Sequence, residues 1–148
     1  MRIVSSVALL LLLISCAAPL PCNHPITTSG ERVICVIDGD TVRLDDGKSV
    51  RFIGIDTPER GKTGYDEATS RTIELLNGTT IRFEKDVSDT DRYDRLLRFV
   101  YADDVFVNEV LVEEGFAKAF PYEPDTSRAD VFKKAQDEAK QGKTGLWK

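Results

Sequence analysis

Residues 33–59 read VICVIDGDTVRLDDGKSVRFIGIDTPE, and the fold is decided by how this stretch is punctuated. Val33-Ile34-Cys35-Val36-Ile37 is a short β-branched run, the pattern of a strand buried on both faces. Residues 41–44 and 49–55 flank Asp45-Asp46-Gly47-Lys48, where glycine supplies the positive φ of a tight hairpin turn. Each apolar run stops at a turn rich in acids: first Asp38-Gly39-Asp40-Thr41, then Asp56-Thr57-Pro58-Glu59.

Working outward, residues 79–84, 96–101 and 105–107 read as further strands, the last two joined across Ala102-Asp103-Asp104. Five or six short strands with tight turns predict a small barrel. Three helices are added to it. The first covers residues 65–76, turns Ala68, Ile73 and Leu76 inward, and stops at Asn77-Gly78. Asn77-Gly78-Thr79 also spells a glycosylation sequon, but capping accounts for the pair better. Asn108 is expected to cap a short helix running through Glu114 and closed by Gly115. Ser127-Arg128-Ala129-Asp130 resembles a capping box opening a helix with Val131, Phe132, Ala135 and Ala139 on one side. That helix ends near Gly142, and Trp147 is expected to pack onto the domain.

The chain has 148 residues, 41% hydrophobic and 30% charged, enough for one ordinary domain. Lys and Arg total 20 against 25 Asp and Glu, a net charge of -5, which excludes nucleic-acid binding through bulk positive charge. Phosphate recognition must then come from a few placed cations. The one long apolar run, within residues 1–15, fits a secretory signal peptide. Leu13-Ile14-Ser15-Cys16 resembles a bacterial lipobox, which makes Cys16 the expected lipidation site. Ordinary cleavage near Ala17 or Ala18 is the alternative. Export is expected either way, to a membrane anchor or else to the periplasm or medium, with no other membrane contact. Residues 16–31 read as a flexible tether and residues 32–148 as the folded domain, acting as a monomer. His24, the only histidine, falls in the tether and reads as incidental. An exported chain permits a Cys22–Cys35 bond, but the preferred reading of Cys35 is a small buried hydrophobe.

The chemistry starts from three carboxylates, Asp40, Asp56 and Glu59, which repel one another unless a cation or proton is shared among them. Oxygen donors without histidine or thiol select a hard ion, Ca²⁺ or Mg²⁺. Asp38 reads as a turn cap. Arg51 lies five residues before Asp56, on opposite faces of a regular strand, unless Gly54 and the strand end allow a bend. Arg95 follows Tyr93-Asp94 at the start of another strand. Two guanidiniums beside a bound divalent ion would suit a phosphodiester.

Six motifs occur in the order found in staphylococcal nuclease-like (thermonuclease family) proteins, which the chain resembles from Arg32 to Trp147. They are Val36–Val42, Arg51–Glu59, Asp91–Arg95, Val107–Val112, Gly115-Phe116-Ala117 and Gly145-Leu146-Trp147. The resemblance implies an α+β fold, an OB-type five-stranded β-barrel with three α-helices. It also implies Ca²⁺-dependent hydrolysis of DNA or RNA, breaking the P–O5′ bond to leave 3′-phosphorylated products. By the same resemblance one Ca²⁺ is held by Asp40, Asp56 and the backbone carbonyl of Thr57. Arg51 and Arg95 grip the scissile phosphate, and Glu59 orients or deprotonates the attacking water.

The family usually has glycine where this chain has Asp94, which could pair with Arg95 or Arg92 and weaken substrate binding, or point to solvent. Arg92 and Tyr93 are further candidate substrate contacts. Phe120 and Tyr122 match an aromatic wall or, equally, core packing; as a wall they would favour single-stranded or frayed substrate. A catalytically weak barrel that binds nucleic acid or a protein is the alternative.

Overall fold

The computed structural model describes residues 22–148. The leader expected over residues 1–15, the Cys16 lipidation site and the first part of the expected tether lie outside the described residues. Two short strands come first, β1 (His24–Pro25) and β2 (Ser29–Gly30). They are followed by β3 (Val33–Asp38), β4 (Thr41–Leu44), β5 (Ser49–Phe52) and β6 (Ile55–Asp56). Helix α1 (Tyr65–Leu76) leads into β7 (Thr80–Glu84) and β8 (Leu96–Ala102). Then β9 (Val105–Phe106) runs straight into α2 (Val107–Glu113), and β10 (Lys118–Ala119) precedes α3 (Ala129–Gly142) and a 3-10 turn, Gly145–Trp147.

Hydrogen bonding orders the main sheet β1-β3-β4-β5-β8-β7-β2, with β9 beside β8 and a separate β6–β10 pair. Short turns join the antiparallel pairs β3–β4, β4–β5 and β8–β9, whereas β5 and β8 run parallel, Val50 opposite Leu96 and Phe52 opposite Arg98. The five longer strands curl around Val36, Val42, Val50, Phe52 and Val100, all buried. This is an OB-type α+β fold with three helices, as the strand spacing and the resemblance imply. Helix α1 ends where Asn77-Gly78 places it, Gly78 taking a φ of 80°. Helix α3 buries Phe132, Ala135 and Ala139, with the Phe132 ring against Gly54. A Cβ on Gly54 would lie 2.4 Å from that ring, and its φ of +77° is open mainly to glycine.

Four expectations need correction. From Cys22 onward the segment expected as a tether is tied to the barrel: β1 pairs with β3 and β2 with β7. Cys35 is buried but not a free thiol, for it is bonded to Cys22 across 13 residues. Asn108 is not a helix cap. Its side chain is buried within α2, accepting a hydrogen bond from Val100 N–H at 2.9 Å and donating to the Ile53 carbonyl at 2.9 Å. The capping box at residues 127–130 does not form either. Helix α3 starts after Arg128 without a side-chain cap, and Ser127 N–H donates to Asp86 instead, at 3.0 Å.

Candidate active site

The acidic turn after β3 lies against the end of β5 and the start of β6. Phe52 N–H donates to the Asp40 carbonyl at 2.9 Å, and from α1 the Thr72 hydroxyl donates to the Gly39 carbonyl at 2.7 Å. The Asp40 carboxylate is buried and fully engaged. Its Oδ2 accepts from the Thr57 N–H (2.8 Å) and hydroxyl (2.9 Å), its Oδ1 from the Thr41 hydroxyl (3.1 Å) and Arg51 Nε (3.2 Å). Arg51 also reaches Asp56 Oδ1 at 3.1 Å and the Phe52 carbonyl at 2.7 Å. The odd spacing between Arg51 and Asp56 is absorbed at Ile53-Gly54, where the chain leaves β5 and re-enters as β6. One guanidinium, its side chain only 15% exposed, therefore bridges two acids that are 16 residues apart in the chain.

That single cation does not balance the cluster. Burial raises the Asp56 carboxyl above its ordinary range, and the negative charges of Asp40 and then Glu59 add to the shift while Arg51 opposes it. Asp38 is pushed up to about 6, by burial first and the neighbouring Asp40 second. Burial is the larger cause of both shifts, and the oxygen donors Asp40, Asp56 and the Thr57 carbonyl, without histidine or thiol, are of the type that suits a hard divalent ion. Among the described residues, no three acidic, histidine or cysteine side chains form a ready-made metal cage, and Glu59 stands exposed.

Beside the cluster opens a cleft of about 500 Å³, whose lining includes Arg51, Arg92, Tyr93, Arg95, Phe120 and Tyr122. Asp40, Asp56, Thr57 and Glu59 do not line it, and Arg51 connects Asp40 and Asp56 to it. Phe120 is 53% exposed and Tyr122 71%, so neither packs in the core, and together they form an exposed aromatic wall of the cleft. Phe120 N–H donates to the Gly54 carbonyl at 2.8 Å, fixing that wall to the bend beside Arg51. Tyr93 is exposed between two guanidiniums, Arg92 at 4.7 Å and Arg95 at 5.4 Å from its ring.

Arg95 pairs with Asp91, not with Asp94. Asp91 Oδ2 takes Nε and one terminal nitrogen, both at 2.7 Å, while Oδ1 accepts the N–H groups of Tyr93 (2.9 Å) and Arg95 (3.0 Å). Asp94 is exposed with a φ of 62°, the left-handed conformation that explains why glycine suits this position. Two positioning acids escaped sequence reasoning. Asp91 stands in the sequence only as the first residue of the Asp91–Arg95 motif, with no role of its own, although its spacing of four from Arg95 is a signal. Asp125, buried, accepts from Val87 N–H (3.0 Å) and Ser88 N–H (2.7 Å), joining the loop after the aromatic wall to the one before Arg95. No local pattern announces that contact.

A barrel rim that gathers two arginines and a charge-starved acid cluster at an aromatic cleft is built to hold an anionic ligand with stackable rings. Residues 49–148 match the family model described as staphylococcal nuclease homologue, and the chain belongs to that family. It is 38% identical over 125 residues to the thermonuclease of Staphylococcus hyicus, covering 78% of this chain and 74% of the relative. It is also 39% identical over 122 residues, 75% of its length, to two proteins of Bacillus subtilis (strain 168). These are the SPbeta prophage-derived endonuclease YokF and endonuclease YncB, of which it spans 41% and 58%.

Proposed function

We propose that this protein is an exported, calcium-dependent nuclease that hydrolyses phosphodiester bonds of DNA, RNA or both as a monomer. The observation that carries the reading is Arg51, which bridges the buried Asp40 and the more exposed Asp56 and lines a cleft that also holds Arg95. Asp40, Asp56 and the Thr57 carbonyl would hold one Ca²⁺, which when bound supplies positive charge and makes nearby water more acidic. Arg51 and Arg95 hold the non-bridging phosphate oxygens and balance the charge that grows on them. Glu59 orients the attacking water and takes its proton as the oxygen bonds to phosphorus. The P–O5′ bond breaks, the leaving oxygen gains a proton from solvent, and the product keeps a 3′-phosphate. Phe120 and Tyr122 offer stacking faces that suit single-stranded or frayed substrate. Export follows from the leader, with a lipid on Cys16 or, failing that, release to periplasm or medium.

Denatured DNA should be cleaved in millimolar Ca²⁺, cleavage should stop on chelation, and Asp40→Asn should abolish it in a chain still folded by circular dichroism. No cleavage by the wild type in Ca²⁺ would overturn the reading. Mass spectrometry of the membrane fraction tests the anchor, which an unmodified N-terminus beyond Cys16 would reject.

A further inference from the structure

A second hollow, of about 610 Å³, lies between β1 and the 60–65 loop, lined by Asn23, His24, Arg60, Lys62, Tyr65 and Asp66 among others. It shares no lining residue with the aromatic cleft, and the chain passes from Ile55 in the lining of the cleft to Arg60 in that of the hollow through Asp56 and Glu59. The loop is folded: Lys62 N–H donates to the Glu59 carbonyl at 2.9 Å and Tyr65 N–H to the Lys62 carbonyl at 3.2 Å. The Arg60 guanidinium lies 5.9 Å from the Tyr65 ring, and neither Arg60 nor Lys62 forms an ion pair among the described residues. His24 reaches the hollow only because β1 pairs with β3 and Cys22 is bonded to Cys35. A histidine that reads as incidental in the sequence thus joins two cations and an aromatic ring, with Asp66 as the opposing acid.

We propose that this hollow is a second phosphate-binding subsite, which takes the polynucleotide strand where it continues past the Asp56–Glu59 segment from the aromatic cleft. The inference rests on the nuclease reading above and extends it. OB folds take about 4–16 nucleotides of single strand, more than a cleft of about 500 Å³ holds, so the flanking strand needs somewhere to lie. In a chain of net charge -5, a phosphate passing the acids is drawn onward by cations without carboxylate partners. Arg60 and Lys62 supply the positive charge, and the His24 ring adds a hydrogen-bond donor for a phosphate oxygen.

The test is fluorescence anisotropy with Ca²⁺ present, using labelled oligothymidylates of two and eight nucleotides. Phosphorothioate linkages keep their charge and resist hydrolysis. The combined His24→Ala, Arg60→Ala, Lys62→Ala variant should bind the eight-nucleotide probe about tenfold more weakly, with the salt slope reduced by about 1.4 for the two permanent charges. Its affinity for the two-nucleotide probe should not change. Asp66→Lys should tighten the longer probe alone. Unchanged affinity for the longer probe, or equal loss on both, would overturn the subsite while leaving the nuclease reading intact. A wild type that binds neither probe would sink both. If phosphatidylglycerol vesicles retain the wild type but not the variant, and oligonucleotide affinity is unaltered, the hollow belongs to a membrane surface and the proposal fails.

Discussion

Asp91→Asn separates the aiming of Arg95 from the folding of its turn. The asparagine oxygen can stay where Oδ1 receives the two backbone N–H groups of Tyr93 and Arg95. Its amide, a donor, replaces the Oδ2 that now accepts two guanidinium nitrogens, both at 2.7 Å. Hydrogen bonds to charged groups contribute about 1.5–3 kcal/mol, and with the Asp91 side chain 17% exposed, solvent screening is limited. A well-aimed donor lowers a transition state by about 2.7–4 kcal/mol. Arg95 without its clamp keeps the charge but loses the aim, so part of that stabilisation is lost, about 1.4–2.7 kcal/mol, or 10- to 100-fold in kcat/KM. Tm should fall little in Asp91→Asn and clearly in Asp91→Ala, which also strips the two backbone bonds. The pH dependence has a definite sign. Burial works against ionisation of Asp91, but the hydrogen bonds from Arg95 and the backbone outweigh it and hold the carboxyl below 3.8. The stability it contributes is therefore complete above that value and lost as pH falls through the folded pKa. If Asp91→Asn stays within twofold of wild type on denatured DNA while Arg95→Ala is inactive, the clamp has no part in catalysis.

Arg51→Lys keeps the charge but cannot span Asp40, Asp56 and the Phe52 carbonyl together, so kcat should drop by about 100-fold or more; near-normal kcat would show a point charge suffices. Asp38→Asn should stabilise the folded chain in chelator at pH 7, by at most about 3 kcal/mol, because the carboxyl at about 6 binds its proton more tightly folded than unfolded, where 3.8 applies. Stability is lost as pH climbs through that window, so the gain should vanish below pH about 3; a pH-independent gain in thermal denaturation contradicts this. Replacing Cys22 and Cys35 with serine should cost about 3 kcal/mol in denaturant unfolding, as expected for a loop closed across 13 residues, and an unchanged midpoint would leave the staple without a role in stability.

What could be read from the sequence divides along physical lines. Helix α1 was legible to the residue, because an amphipathic run ending at Asn-Gly specifies itself locally. Four of the longer strands were legible within a residue, the run expected over 49–55 breaks after Phe52 into β5 and β6, and Val107 moves from a strand to the first turn of α2. The short strands β1 and β2 were not, since two residues carry no periodicity and each is held in place by a distant partner. The meeting of Arg51, Asp40 and Asp56 was open in the spacing alone and decided by a bend at Ile53-Gly54. Asp91 and Asp125 were missed because an acid that accepts backbone N–H groups looks like any surface acid until the loops are folded.

The amide of Asn108 ties the Ile53 carbonyl to the N–H of Val100 from a position 55 residues beyond Ile53. The peptide it grips belongs to the very bend that swings Arg51 toward Asp56. Helix α2, remote in sequence from Asp40, Asp56 and Glu59, thereby holds the bend that positions the Arg51 guanidinium. Drift in that helix cannot be silent: a lineage that repacks it must re-aim the rim or lose it.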